Sequence, residues 1–218
     1  FTRDELHFIA ELMIKHDAYA ICDEVYEHIV YDGRRHVPLL TLPGMRERCL
    51  RIGSAGKTFS MTGWKVGYTS GPAPLVTAAA KAHQFLTFTT PPNLQKAVAV
   101  GLQQDDVYFE GLAREMQGKR DRLAQGLKRI GFDVMDSEGT YFLTADFRPL
   151  TSRGGFNGDD VEFCKHITTE ARVAAVPFSA FYQGGVASGV DHFARFCYCK
   201  QDSLLDAAVE RLARHFGR

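Results

Sequence analysis

The chain has 218 residues and carries 26 Lys+Arg against 26 Asp+Glu, a formal net charge of +0. That balance excludes a nucleic-acid binder built on a basic surface, and 45% hydrophobic with 24% charged residues excludes a disordered chain. No apolar run approaches the roughly 18 residues that cross a bilayer as a helix, so no membrane span is expected.

The length suits one large or two small domains. Thr2-Arg3-Asp4-Glu5 reads as a helix capping box. Leu6, Ile9, Leu12 and Met13 recur at helical spacing, which predicts a helix over 3–17 with one buried stripe. The opening is acidic and amphipathic, unlike a signal peptide. It suggests a sequence that begins part-way through a larger protein. Tyr19-Ala20-Ile21-Cys22 is an apolar run of strand length ending at Asp23-Glu24. A helix followed by such a run predicts an α/β unit with a buried parallel sheet.

Residues 32–47, with Gly33, Pro38, Pro43 and Gly44, read as a loop. Cys49–Gly53 is a second candidate strand running into the polar stretch Ser54–Ser60, and Val66–Thr69 is a third. Helices are predicted at 72–86 and 92–103, the second opening on Pro91-Pro92, where proline is tolerated. From Asp105 to Ile130 runs a long charged helix with Phe109, Leu112, Met116, Leu123 and Leu127 as its stripe. Strands follow near 131–135, 141–147, 173–176 and 193–199, with helices near 158–171 and 202–216. A boundary near 105 would divide a sheet-bearing part, 1–104, from a smaller α+β unit, 105–218.

The five cysteines are odd in number and widely spaced, without a C-x-x-C pair, and read as free thiols of a reducing cytoplasm. Cys197 and Cys199 would share one face of a strand. The eight histidines form no metal pattern, so no metal is expected.

Ligands bind at the carboxyl ends of strands in α/β sheets. Two predicted strands end there in polar groups, one at Asp23-Glu24-Val25-Tyr26 and one at Ser54 leading to Lys57. Taken singly, Asp23 is a turn former or cap and Lys57 a solvated charge. Together, Lys57 lies among Ser54, Gly56, Thr58 and Ser60, small residues that let backbone amides approach an anion, and Lys65 adds a second cation. One lysine could act as an amine nucleophile while Ser54 and Lys65 hold a phosphate dianion. A P-loop is excluded, because position 51, where its first glycine belongs, is Arg51.

The elements Ala20-Ile21-Cys22-Asp23-Glu24-Val25-Tyr26 and Gly53-Ser54-Ala55-Gly56-Lys57-Thr58-Phe59-Ser60-Met61-Thr62-Gly63-Trp64-Lys65-Val66-Gly67-Tyr68 resemble the fold type I pyridoxal-phosphate aminotransferases of class I/II. The likeness is greatest to the group of kynurenine, glutamine and methionine aminotransferases and cysteine-conjugate β-lyases. It implies an α/β fold: part of a three-layer, mainly parallel PLP-binding large domain, then a C-terminal α+β small domain. It implies pyridoxal 5'-phosphate as cofactor, amino acid and 2-oxo acid as substrates, a cytoplasmic homodimer, and amino-group transfer by a ping-pong Schiff-base mechanism. Lys57 would condense with the cofactor aldehyde and then carry protons. Asp23 would face the pyridine nitrogen, Tyr26 the phenolic oxygen, and Ser54 and Lys65 the phosphate. Lys65 stands where most of the wider class carries arginine.

By the same resemblance Arg195, in His192-Phe193-Ala194-Arg195-Phe196-Cys197-Tyr198, would clamp the substrate α-carboxylate. Read alone, it is an arginine of an edge strand facing solvent. Phe88 would line a neighbouring subunit's substrate pocket and favour aromatic or thioether side chains. Phe85 is expected in the core and Tyr141 in a structural role. Val176–Phe178 and Phe181-Tyr182 would form a small-domain loop facing the site.

The glycine-containing phosphate loop, the aromatic that stacks on the cofactor and an Asn beside the phenolic oxygen would belong to an N-terminal half preceding Phe1. Three rivals remain open at this point. One is a cysteine-S-conjugate or cystathionine β-lyase sharing Lys57, Asp23, Tyr26 and Arg195. Another is a PLP-binding regulatory domain, which needs a basic helix-turn-helix arm. The third is a truncated, non-catalytic relative.

Overall fold

A computed structural model describes residues 1–151 and 156–217. They pack as two compact units, Phe1–Leu112 and Ala113–Arg218.

In the first unit, α1 (Arg3–Lys15) starts on the expected capping box. The Thr2 hydroxyl accepts from the Glu5 amide, and the Glu5 carboxylate accepts from the Thr2 amide. Its buried residues, Leu6 and Ala10, pack with Leu39, Leu42, Met45 and Cys49. Three of those partners come from the stretch predicted as plain loop. A single 3-10 turn at Leu39–Thr41 turns its leucines inward.

Strand β1 (Ala20–Asp23) runs parallel to β2 (Cys49–Ser54), with Ala20 opposite Cys49 and Asp23 opposite Ile52. Strand β3 (Gly67–Ser70) returns antiparallel to β2, giving the order β1-β2-β3. Between them, Ala55–Thr58 forms one helical turn, α2. Helices α3 (Ala73–Leu86) and α4 (Pro92–Gly101) follow, and then α5 (Asp106–Ile130), within which the division between the units falls.

Two expectations of burial fail in this unit. β1 is half-buried rather than enclosed, because Ile21 projects from the sheet face opposite α1 and is 73% exposed. Phe85 is not core but 86% exposed, since no residue of α3 is buried among the described residues.

The carboxyl ends of β1 and β2 are braced by a part-buried polar network. The Arg51 Nε lies 2.8 Å from Glu24 Oε2, and its Nη2 lies 3.0 Å from Glu27 Oε1. Glu24 also accepts from the Leu39 amide and pairs with His36 Nε2 at 3.1 Å. From β3, the Tyr68 hydroxyl donates to Glu27 Oε1 at 3.1 Å. It reaches there by lying flat over Gly53, its ladder partner, where an added Cβ would fall 2.2 Å from the ring. Burial raises the Glu24 carboxyl's pKa, but the bonds from His36, Leu39 and Arg51 outweigh it and hold the group below 4.5.

In the second unit, β4 (Asp133–Val134), β5 (Phe142–Asp146), β6 (Val176–Pro177) and β7 (Phe193–Cys197) form an antiparallel sheet of order β4-β5-β7-β6. A one-turn helix, α6 (Arg148–Thr151), follows β5. Helices α7 (Asp160–Thr169) and α8 (Asp202–His215) join α5 around Leu127, Ile130, Phe163, Ile167 and Leu212, all under 2% exposed. Helix α5 comes close to α8 at Gly126, where a Cβ would meet Val209 at 2.5 Å. Asp160, fully buried, accepts from the Ser179 amide at 2.6 Å and its hydroxyl at 2.8 Å, pinning the turn at Phe178–Phe181 to α7.

Asp160→Ala removes that acceptor and strands a buried N–H, so stability should fall by about 1–3 kcal/mol, read from urea midpoints of the intact protein. Glu24 acts in a defined pH window. Its folded pKa is depressed, so its stabilisation is complete above 4.5 and is lost as pH falls through the lower folded value. Glu24→Ala should therefore be clearly less stable than the parent near neutral pH and should converge on it in acid.

Candidate active site

Parallel pairing brings the ends of β1 and β2 to one side of the sheet. Asp23 is the last residue of β1, with an exposed side chain. The chain then turns through Val25–His28, closed by the Glu27 amide donating to the Glu24 carbonyl, and this turn carries Tyr26. Ser54 ends β2 and is the N-cap position of α2, though its hydroxyl makes no capping bond. Ala55, Gly56 and Thr58 of that turn are buried, which leaves Lys57 as its half-exposed residue. The Lys57 Nζ stands 5.6 Å from the centre of the Tyr26 ring. Packing of Ala55 with Val66 and Val98 fixes the back of the turn.

Lys65 closes the 3-10 turn Thr62–Trp64 in a left-handed conformation, φ 56°, with its side chain exposed. Phe88 follows α3, likewise at positive φ (69°), and is 75% exposed. A bulky residue in that region is a true outlier. Two neighbours of the cluster shift in pKa. Burial and Glu27 push the Tyr68 phenol up to about 12, and burial against the stacked Phe109 ring, 4.3 Å away, lowers His28.

Arg195 belongs to the second unit. It sits in β7, an interior strand, opposite Thr144 of β5 and Val176 of β6, so the solvent-facing edge reading fails. Its guanidinium carbon lies 4.1 Å from the ring centres of both Phe142 and Phe181. Its Nε is buried and, among the described residues, has no hydrogen-bond partner. Two aromatic faces thus dehydrate the flat sides of the guanidinium and leave its donor edge for an anion.

The sequence reading missed Phe142, whose part depends on the β5–β7 register that sets it opposite Cys197. It also missed Glu24, Glu27 and Arg51, which are ordinary surface types until the sheet is assembled. Among the described residues no group of three or more His, Cys, Asp or Glu could hold a metal. Among the described residues no helix is long and apolar enough to cross a membrane.

Residues 1–212 match the family model of aminotransferase class I and II. The chain is 44% identical over 215 residues to the probable N-succinyldiaminopimelate aminotransferase DapC of Mycobacterium tuberculosis, covering 96% of this chain and 53% of that protein. It is 39% identical over 229 residues to kynurenine–oxoglutarate transaminase of Dictyostelium discoideum, covering 98% and 53% respectively. The solved structure of the M. tuberculosis N-succinyldiaminopimelate aminotransferase superposes with TM-score 0.91 at 43% identity, over 98% of this chain and 54% of that one. An Escherichia coli protein with a methionine aminotransferase function superposes with TM-score 0.89 at 36% identity, over 98% and 55%. The chain spans about half the length of the curated relatives it matches. It belongs to the aminotransferase class I and II family.

Proposed function

We propose that the protein containing this chain is a pyridoxal-phosphate-dependent aminotransferase that moves an amino group from an amino acid to a 2-oxo acid. The observation that carries this is Lys57, a half-exposed amine held at the joined carboxyl ends of β1 and β2, in a chain of this family. The donor set suits the cofactor. It offers an amine for an aldehyde, a carboxylate at the end of β1 for a ring N–H, a phenol at Tyr26, and a hydroxyl with a cation at Ser54 and Lys65 for a phosphate.

When bound, the cofactor supplies a carbonyl that captures amines and a cationic ring that accepts an electron pair from Cα. The chain's residues do the rest. With the cofactor in place, the Lys57 amine would be the base that takes the proton from the substrate Cα. Asp23, as a carboxylate, keeps the ring nitrogen protonated. The Tyr26 hydroxyl donates to the phenolic oxygen and favours its anion. Ser54 donates to the phosphate and Lys65 neutralises it as a point charge, without arginine's bidentate fork. The Arg195 edge binds the substrate carboxylate.

Relatives that act on kynurenine, methionine or a succinylated diamino acid by name favour amino transfer over β-elimination; kynurenine and methionine support donors of aromatic or methionine type, and a glutamine-type donor rests on the sequence resemblance alone. We further assign the protein to the cytoplasm, on its five free thiols, and to a homodimer, on the exposed Phe85, Leu86 and Phe88.

The test uses the intact protein with pyridoxal phosphate. Borohydride should fix a pyridoxyl label on Lys57, and Lys57→Ala should lose at least about 10²-fold in turnover. With amino acid alone the reaction should stop after one equivalent and resume on adding 2-oxo acid. Continuous pyruvate release from a cysteine S-conjugate without 2-oxo acid would point to the lyase instead. Arg195→Lys should raise KM for amino acid and 2-oxo acid alike, because it removes the fork but keeps the charge.

A further inference from the structure

Cys197 ends β7 on the face that carries Arg195, two residues earlier. Cys199 lies just beyond the strand. An extended chain would hold these two side chains well apart, but here it curls. The Lys200 amide donates to the Tyr198 carbonyl at 2.7 Å, a three-residue turn centred on Cys199. The turn is held from outside, since the Lys119 ammonium donates to the Lys200 carbonyl and to Asp202, both at 2.9 Å. As a result the two sulfurs stand 3.2 Å apart. A disulfide needs them about 1 Å closer.

We propose that Cys197 and Cys199 form a reversible dithiol–disulfide pair, a modification site for hydroperoxides. The Cys197 thiolate attacks one peroxide oxygen. The O–O bond breaks, the departing oxygen leaves after protonation as water from hydrogen peroxide or as the alcohol from an organic hydroperoxide, and the sulfur becomes a sulfenic acid. The Cys199 sulfur then attacks that sulfur, the S–O bond breaks, and water leaves with the thiol proton. Two thiols are oxidised to one disulfide and one hydroperoxide is reduced.

The surroundings favour this pair over the other cysteines. Contact with Cys199 holds the Cys197 thiol below the usual range, against burial, with Lys200 and Arg195 adding to the effect. Cys199 is exposed, so oxidant and reductant can reach the pair. Cys22 and Cys49 also hydrogen-bond to each other across β1 and β2, but burial pushes both thiols up and Cys49 has no exposed surface. Cys164, buried on α7, is likewise pushed up, to about 12. Thiolate character and access together select the 197/199 pair.

The sequence supplies a direct readout, because trypsin cuts after Arg195 and after Lys200 and so places both cysteines in one peptide, Phe196–Lys200. The intact protein is treated with a small excess of hydrogen peroxide, alkylated with iodoacetamide, digested and weighed. The expected peptide is two hydrogens light and carries no alkyl group. Dithiothreitol restores both alkylation sites, and Cys22, Cys49 and Cys164 stay alkylatable throughout. In Cys199→Ser, dimedone should trap the sulfenic acid on Cys197. Recovery of the peptide with both cysteines alkylated, or linked to another molecule instead of internally, overturns the proposal. So does a Cys199→Ser variant in which Cys197 takes up no dimedone. None of these readouts depends on aminotransferase activity.

Discussion

The parallel pairing of β1 with β2 is the constraint on which the first unit's chemistry depends. Side by side and in the same direction, the two strands finish at the same edge. Asp23 and Tyr26 from one, and Ser54 and Lys57 from the other, meet there although about thirty residues separate them in the chain. An antiparallel partner would have carried Lys57 to the opposite edge. The long loop joining β1 to β2, with its 3-10 turn at Leu39–Thr41, gives the length a parallel connection requires, and it also gives Leu39, Leu42 and Met45 to the core.

Such an edge needs a brace, because the chain leaves the sheet at both strand ends. Arg51 provides it from inside β2, by binding two carboxylates of the turn that follows β1. A part-buried arginine between two largely buried glutamates is costly to desolvate and adds little net stability over apolar packing. Its contribution is positional. Glu24 is tied to Arg51, His36 and the Leu39 amide, and Glu27 to Arg51 and Tyr68, so the turn bearing Tyr26 has few alternatives. Gly53 belongs to the same device, since only a residue without Cβ lets Tyr68 lie close enough to reach Glu27.

Much of this was legible in the sequence. The order of helices and strands follows from periodicity and punctuation, and α1, α3 and α5 fall within a few residues of their expected bounds. The capping box at Thr2 and the strand ends at Asp23 and Ser54 are written in local residue types. What could not be read depends on pairing. Ile21 looks buried because its neighbours are apolar, yet it faces away from α1. Phe85 looks like core because it is aromatic and on a helical stripe, but periodicity identifies a face without identifying what covers it. Phe142 and Arg51 acquire their parts from strands distant in sequence, so no local pattern marks them.

In its proposed role, Arg195 would make a site selective for one group and indifferent to the rest of the molecule. Held between Phe142 and Phe181, the guanidinium has lost water from both faces, and among the described residues its buried Nε has no hydrogen-bond partner. A lone desolvated donor is unfavourable, so the side chain gains most from a ligand that presents two coplanar oxygens at its edge. A carboxylate does so, and it is the group that an amino acid and a 2-oxo acid share. One such arginine would serve both halves of the proposed reaction, leaving discrimination among side chains to other residues. Lysine could not replace it at equal strength, because a tetrahedral ammonium neither stacks between two rings nor offers parallel donors.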